Sequence, residues 1–365
     1  MIKRQFLKAF LIIMVIDDHS WSRFGPFAQI FPYDSFFMPL FVACSGYFYK
    51  KRSFGADFQR RVKNILLPYF VWSISGNLLC YILQKLNIVY WYARPTVENF
   101  KIFLWWGPMS TINGAGWFAL MLFHVAIIYS LLRNTVLKDN IISDYLFLVI
   151  SAIGGMYAVF LCMKGYNLQS YELNAFLRAV FFLQFFHIGY MFHTYWEPVV
   201  QHFNKFYICC LCIFINEILI GLYNSDVLFY STASMASFHS WYLPLITSLT
   251  GSLFWYTISN FLAQNFGSIN LINFIADNTF NIMMCHLFFM GIPTFCILFL
   301  TKIGYNPCPD YDITPFLESA WSKHYFGMWL IDFFISLLGS LAFSYLIQLL
   351  KSIYKNHHSK TTLHV

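Results

Sequence analysis

Apolar residues run along this chain in long segments that short polar or basic stretches interrupt. About 20 apolar residues are enough for one helix to cross the hydrocarbon of a bilayer. Ten such segments are predicted, at 4–23, 29–49, 64–84, 113–132, 143–163, 175–195, 207–223, 241–264, 275–300 and 326–350. The pattern predicts an all-α fold, a polytopic transmembrane helical bundle of about ten spans. It predicts a single membrane domain over residues 1–350 and a short polar tail at 351–365.

The first segment carries two ionisable side chains on one helical stripe. Lys8 and His19 are eleven residues apart, and at about 100° per residue eleven steps return to nearly the same azimuth. Ile12 and Val15 share this stripe, which puts the imidazole about 16 Å beyond the ammonium group. Ionisable groups within a membrane helix are energetically unfavourable and by default mark functional sites. The segment therefore predicts a functional histidine inside the membrane.

Composition supports a membrane protein and argues against a soluble domain. Hydrophobic residues make up 59% of the chain and charged residues only 11%, whereas soluble domains carry about 25% charged residues. The mean hydropathy is +0.57. The net charge of +7 comes without a basic domain or a base-stacking module, so nucleic-acid binding is not predicted.

The distribution of positive charge predicts the orientation. With the N-terminus inside, 15 of the 23 Lys and Arg residues fall on the cytoplasmic side, as the positive-inside rule requires. Both termini are then cytoplasmic, and the protein is a multi-pass protein of the plasma (cell inner) membrane. No small-x-small cleavage site follows the first apolar run, where Asp17 and Asp18 stand instead. We therefore expect an uncleaved first span, not a signal peptide.

The nine cysteines do not form a recognisable framework. Most lie in separate apolar segments, and Cys209, Cys210 and Cys212 share one segment but point to different faces of a helix. The sequence also lacks a Gly-rich phosphate loop and a His-x-x-x-His pair. We expect packing cysteines, no metal and no tightly bound cofactor.

Five stretches, in order along the chain, carry a resemblance to a known family. They are Lys8 with His19, then Phe36–Tyr47, Arg60–Tyr69, Gly116–Leu120 and Asn278–His286. Together they resemble the acyltransferase 3 family, integral-membrane enzymes that move acyl groups, often acetyl, onto carbohydrates. The chain departs from the family pattern at Lys63, usually an Arg, and at Asp17 and Asp18, usually small or apolar. No appended hydrolase-like domain follows the last span, so we expect the membrane domain to complete transfer alone or with a partner.

The resemblance implies an O-acyltransferase, and a hydroxyl acceptor needs a base because an alcohol is a poor nucleophile. His19 is predicted to be that base or an acyl carrier, and His286 a second catalytic histidine. Asp18 is predicted to orient His19 or raise its basicity. The alternatives are histidines that hydrogen-bond between helices for packing, and an Asp that faces Arg178 or a loop amide.

The resemblance also implies acetyl-CoA, or another acyl-CoA, as co-substrate. Its phosphates are predicted to contact Lys8, Arg60, Arg61 and Lys63; the alternative is that these residues snorkel or only set topology. The residues predicted to line a substrate cavity are Ser45, Tyr47 and Trp117. Ser45 has a structural alternative, because it and Gly46 can let helices approach closely.

The predicted partners are a carbohydrate or lipid-linked glycan acceptor, membrane lipids and other glycan-assembly proteins. The acceptor class includes surface polysaccharides, exopolysaccharides and lipid-linked sugars, so the process is modification of a cell-envelope polysaccharide. The main alternative is a transporter or flippase for a glycan or glycolipid, since intramembrane charges and about ten spans also suit it. Transporters often carry internal repeats, and none is evident here. A purely structural subunit would leave the intramembrane histidine and aspartates unexplained.

Overall fold

The computed structural model describes residues 2–20, 27–88, 94, 96–108, 110–224, 228–318 and 326–361. Arg23 and Lys323, which the charge distribution predicts on the outer side, and the last four residues of the predicted tail lie outside these ranges. The helices are α1 (Ile2–His19), α2 (Phe37–Tyr47), α3 (Phe54–Arg61), α4 (Leu67–Lys85), α5 (Val97–Trp105), α6 (Trp117–Thr135), α7 (Ile141–Met163), α8 (Tyr171–Met191), α9 (Glu197–Val200), α10 (Lys205–Tyr223), α11 (Leu243–Phe266), α12 (Asn270–Asp277), α13 (Thr279–Met290), α14 (Ile292–Lys302), α15 (Thr314–Glu318) and α16 (Trp329–Thr361). The described residues contain no strand, only an isolated antiparallel bridge between Ser231 and Ala236.

Seven helical segments in the described ranges are long and apolar enough to cross a membrane. They are Phe54–Lys85, Ile112–Thr135, Ile141–Met163, Tyr171–Val200, Lys205–Tyr223, Thr279–Lys302 and Trp329–Ile353. The other three predicted placements coincide with α1, which carries several charges, with the short apolar α2, and with α11, which is rich in Ser and Thr. The all-helical, membrane-spanning fold class is therefore confirmed.

The second placement differs from the structure at its start. Residues 29–49 were predicted as one span, but α2 begins only at Phe37. Pro39 has no N–H to donate to the carbonyl of Ser35, so it is favoured in the first turn of a helix, where that donor is not needed, and not in the middle of a longer one. The Ser35 carbonyl accepts instead from the hydroxyls of Tyr230, at 2.8 Å, and Ser248, at 2.9 Å. The chain before α2 is thereby anchored to α11 and to the loop that precedes it.

Polar contacts gather at the two ends of the bundle. At one end, Lys51 pairs with Asp139 at 2.6 Å, and Gln348 donates to Asn278 at 2.9 Å. We call this the basic end, because the loop after α2, the helix α3 and the turn after α3 contribute the basic residues between Lys50 and Lys63. At the other, distal end, the amide of Asn167 donates to the carbonyl of Met235 at 3.0 Å. The last helix, α16, continues past residue 350 as far as Thr361.

Helices α2 and α8 cross at two glycines. A Cβ atom at Gly46 would overlap the backbone carbonyl of Phe186, and one at Gly189 would overlap the carbonyl of Ala43. Each glycine therefore receives the backbone of the opposite helix, the arrangement that small residues allow in membranes. This crossing fixes α2 against α8 at the basic end, close to Ser45 and Tyr47.

A buried ion pair ties α6 to α7. Arg133 Nη1 lies 2.6 Å from Asp144 Oδ1, and both side chains are almost fully buried. Asp144 also accepts from the Tyr195 hydroxyl at 2.8 Å, and Arg133 Nε donates to the Tyr129 hydroxyl at 3.1 Å. The network joins α6, α7 and the end of α8 at the basic end.

We expect Arg133→Ala to lower the free energy of unfolding by about 3–5 kcal/mol, because it leaves the Asp144 carboxylate buried without its cation. The double variant Arg133→Met with Asp144→Leu should recover most of that loss. Thermal unfolding of the purified protein in detergent measures both. A double variant no more stable than the single one would contradict this interpretation.

Candidate functional site

Two histidines from distant parts of the chain meet inside the bundle. His19 is the last residue of α1, and His286 lies in the middle of α13. Their ring centroids are 5.0 Å apart and their planes are inclined by 70°. His286 has no exposed surface. The two histidines predicted to be catalytic therefore lie side by side.

Backbone contacts fix the protonation of both rings. His19 Nδ1 lies 2.7 Å from the carbonyl oxygen of Val15, and His286 Nδ1 lies 2.9 Å from that of Met283. A carbonyl can only accept, so Nδ1 carries the proton in each ring. The Nε2 atom of each neutral imidazole then holds the lone pair. His286 Nε2 is buried and makes no hydrogen bond to any residue that the structure describes.

A cavity of about 390 Å³ opens at the basic end. We call it the basic cavity, and its polar lining includes Lys8, Ser45, Lys50, Asp57, Arg60, Arg61, Asp277 and Thr279. Phe41 of α2, Phe118 of α6 and Met283 of α13 belong to its apolar wall. Of the four residues predicted to bind the donor, Lys8, Arg60 and Arg61 therefore share one cavity.

Arg61 and Lys63 are not both placed as free cations that could bind a phosphate in the basic cavity. Arg61 Nε is bound to Asp57 Oδ2 at 2.7 Å, and this pair is buried within α3. Lys63 is exposed, and it sits on a π-helical turn that joins α3 to α4 instead of lining the cavity. Lys50 lines the cavity although the sequence did not single it out.

A second cavity, of about 530 Å³, opens at the distal end. We call it the distal cavity, and its lining includes Asp18, His19, Asp34, Trp117, Tyr230 and Thr232. Burial raises the pKa of Tyr230, so its phenol stays protonated and donates to the Ser35 carbonyl. The distal cavity therefore presents His19 beside two carboxylates and an indole.

The two cavities approach each other closely in the middle of the bundle. On α2, Phe41 lines the basic cavity and Met38 lines the distal cavity. On α6, Phe118 lines the basic cavity and Trp117 lines the distal cavity. Three residues of helix rise about 4.5 Å. On α13, Met283 lines the basic cavity, and His286 follows three residues later beside His19. A septum about one helical turn thick separates the cavities at the histidine pair.

Asp18 and Trp117, both predicted as site residues, line the distal cavity, and Arg178 lies beside Trp117. Asp18 lines the distal cavity with His19, while Arg178 donates to the carbonyls of Ala233 and Trp105, each at 2.9 Å. Trp117 lines the distal cavity, and the Arg178 guanidinium lies 5.2 Å from its ring centroid.

Tyr47 lies at the basic end, outside both cavities. Its hydroxyl donates to Glu197 and accepts from Arg4 Nη2 at 2.7 Å. The Tyr256 hydroxyl donates to the other oxygen of the same carboxylate at 3.0 Å. Tyr47 thereby connects α1, α2, α9 and α11.

Several lining residues were missed by the sequence reasoning. Asp34 follows Pro32 in the stretch before α2, and Tyr230 belongs to the loop before α11. Neither residue lies in a motif with a recognisable spacing. The proximity of Asp34 to His19, across an intervening loop, depends on how the helices pack.

Comparison with known proteins identifies the family to which this chain belongs. A family model described as an acyltransferase domain, that of the acyltransferase 3 family, matches residues 5–349. No curated protein and no solved structure matches the chain. The match includes both histidines, the basic cavity and the distal cavity. This chain therefore belongs to the acyltransferase 3 family and is a multi-pass membrane acyltransferase.

Proposed function

We propose that this protein is an O-acyltransferase that moves an acyl group, in the first instance acetyl, from acyl-CoA to a carbohydrate hydroxyl. The observation that carries the proposal is the thin septum between two cavities, with His19 on the distal cavity and His286 beside it. A donor and an acceptor that enter from opposite ends would meet there. The family match favours this activity over the transporter or flippase alternative.

The proposal includes a topology. Residues 1–350 form one membrane domain of ten spans in the plasma (cell inner) membrane, and both termini are cytoplasmic. Contacts among the basic loops support placing them on one side: Lys51 binds Asp139, and Gln5 donates to Asp277 at 2.9 Å. The donor then comes from the cytoplasm, and the distal cavity faces the opposite side.

The basic cavity suits the donor. Lys8, Lys50 and Arg60 offer cations to the phosphates of CoA, and the pair of Arg61 with Asp57 holds the wall in place. The apolar wall formed by Phe41, Phe118 and Met283 would receive the uncharged arm that carries the thioester. CoA is a co-substrate here, and no tightly bound cofactor is proposed.

The distal cavity suits the acceptor. Carboxylates at Asp18 and Asp34 accept hydrogen bonds from hydroxyls, and Trp117 offers an apolar ring face to a sugar. Its volume of about 530 Å³ lies in the usual range of ligand pockets, about 300–1,000 Å³. We propose a carbohydrate or lipid-linked glycan as the acceptor, in contact with other glycan-assembly proteins of the cell envelope.

In the first route His19 acts as a base. Its Nε2 takes the proton of the acceptor hydroxyl while the hydroxyl oxygen attacks the thioester carbonyl. The carbon–sulfur bond then breaks, and the Nε2 proton passes to the departing thiolate. The products are the ester and CoA with a free thiol. The contact of Nδ1–H with the Val15 carbonyl holds the lone pair of Nε2 ready for this step.

In the second route His19 carries the acyl group. Nε2 attacks the thioester carbonyl, the carbon–sulfur bond breaks, and the thiolate leaves. The acceptor hydroxyl then attacks the acyl carbon, the bond to Nε2 breaks, and the hydroxyl proton ends on the thiolate. Label from acetyl-CoA that stays on the protein when acceptor is withheld would distinguish this route from the first.

The replacement Arg60→Gln should raise the KM for acetyl-CoA about fivefold and change kcat little, because one exposed cation at a phosphate is worth about 1 kcal/mol. Arg52→Gln is the matched control, since Arg52 is an exposed cation of the same loop region. Steady-state kinetics of CoA release in nanodiscs measures both. Equal effects of the two replacements would show that Arg60 contributes only general charge.

The experiment for the activity itself uses purified protein in nanodiscs with radioactive acetyl-CoA and a panel of membrane-extracted glycans. We expect free CoA to be released together with label on a glycan. Absence of hydrolysis and of label on both glycan and protein, with several acyl-CoA donors, would contradict the proposed donor.

A further inference from the structure

A third cavity, an apolar crevice of about 300 Å³, lies between α1, α2, α8 and α11. Its wall is formed by aliphatic and aromatic side chains, among them Leu40, Ile188, Leu249 and Leu253. Leu249 is 40% exposed on the outer surface of α11, so the crevice opens sideways between helices. An occupant would therefore enter from the bilayer.

Two cations mark one end of the apolar crevice. Arg4 and Lys8 lie one turn apart on α1, and both line it. The Arg4 guanidinium lies 4.5 Å from the ring centroid of Tyr47 and 4.9 Å from that of Phe48. Among the described residues, neither cation has a carboxylate within ion-pair distance. The Nε atom of Arg4 is buried and makes no hydrogen bond within the described part of the chain.

The position of Arg4 is fixed by its neighbours and not by an acidic partner. Its Nη2 donates to the Tyr47 hydroxyl, whose own proton goes to Glu197. Tyr47 therefore stands between the guanidinium and the carboxylate. Glu197 also lines the apolar crevice, but its two carboxylate oxygens accept from the hydroxyls of Tyr47 and Tyr256. The positive charge of Arg4 therefore remains available to an anion at the mouth of the crevice.

We propose that the apolar crevice binds one anionic phospholipid from the leaflet at the basic end. The phosphate lies at Arg4, with Lys8 shared between this site and the basic cavity, and one acyl chain follows the apolar wall along α11. Charge and shape together favour this occupant: a cationic mouth on an apolar, laterally open crevice complements a negative headgroup attached to a hydrocarbon chain. This site adjoins the proposed donor site and shares Lys8 with it, and it lies apart from the distal cavity.

The lipid site has a structural connection to the donor site. Lys8, Cys44 and Phe48 line both the apolar crevice and the basic cavity. The Lys8 ammonium lies 5.5 Å from the centroid of the Phe48 ring. A lipid that holds Phe48 in place would hold the same wall of the basic cavity.

The test uses photo-crosslinking in nanodiscs of phosphatidylcholine with a small fraction of phosphatidylglycerol that carries a diazirine on one acyl chain. We expect adducts concentrated on the peptides that contain Leu249 to Tyr256 and Ile188 to Val200. Arg4→Gln should reduce these adducts about fivefold, while Arg52→Gln, which removes an exposed cation outside the apolar crevice, should leave them unchanged. A phosphatidylcholine probe with the same diazirine should label these peptides less.

A second variant keeps the proposal testable if Arg4→Gln fails to fold. Leu253→Trp fills the apolar crevice without removing a charge, and it should also reduce the adducts on α11; size-exclusion chromatography checks that each variant folds. The proposal would be overturned by adducts spread equally over lipid-facing α10, by equal labelling with the neutral probe, or by unchanged labelling in Arg4→Gln and Leu253→Trp.

Discussion

The variant His19→Gln is expected to lose acyl transfer by a factor of about 10²–10⁴, the range that one positioned general base contributes. Glutamine can still donate a hydrogen bond to the Val15 carbonyl, so the end of α1 should keep its conformation. It cannot take a proton from a hydroxyl or carry an acyl group. Turnover of radioactive acetyl-CoA by purified protein in nanodiscs gives the measurement.

The matched control for this variant is His202→Gln. His202 is exposed in the turn between α9 and α10 and is remote in sequence from both histidine helices. It should retain full activity. If His19→Gln keeps wild-type turnover, or if it loses activity only because it fails to fold, then His19 is a packing residue and the proposed role is wrong.

The second large effect concerns the crossing of α2 and α8. Gly46→Ala and Gly189→Ala should each strongly reduce the yield of folded protein, since the added methyl group overlaps a backbone carbonyl of the opposite helix. Backbone cannot move aside as a flexible side chain can, so the two helices must separate. Fluorescence-detected size-exclusion chromatography of detergent extracts measures the folded fraction.

Gly221→Ala is the control for the crossing. Gly221 lies in α10, and a Cβ atom there meets nothing within 4 Å, so the replacement should leave the yield unchanged. Similar yields for all three variants would mean that α2 and α8 tolerate a wider separation. In that case the Ser-Gly pair in α2 would need another explanation.

The sequence predicted what depends on local periodicity. The shared stripe of Lys8 and His19 follows from helical geometry, and α1 confirms that both residues belong to one helix. Each of the ten predicted segments overlaps a helix, because long apolar runs in a membrane must satisfy their backbone internally. The family resemblance, carried by ordered motifs, is also confirmed.

The remaining features depend on packing between distant segments, which periodicity does not encode. The contact of His19 with His286 joins residues that are far apart in sequence. The pairing of Arg61 with Asp57 could have been suspected from their i, i+4 spacing, but their burial could not. The late start of α2 follows from Pro39, whose effect competes with the apolar pattern around it.

The most direct test is to measure from which side of the membrane the protein takes the donor and on which side the labelled product appears. Radioactive acetyl-CoA is added to sealed inverted vesicles and to right-side-out vesicles from cells that express the protein. We expect transfer only in inverted vesicles, with labelled glycan protected from added glycosidase until the vesicles are permeabilised. Labelled glycan exposed on the same face as the donor, or equal transfer in right-side-out vesicles, would contradict a reaction that passes the acyl group between the two cavities at His19.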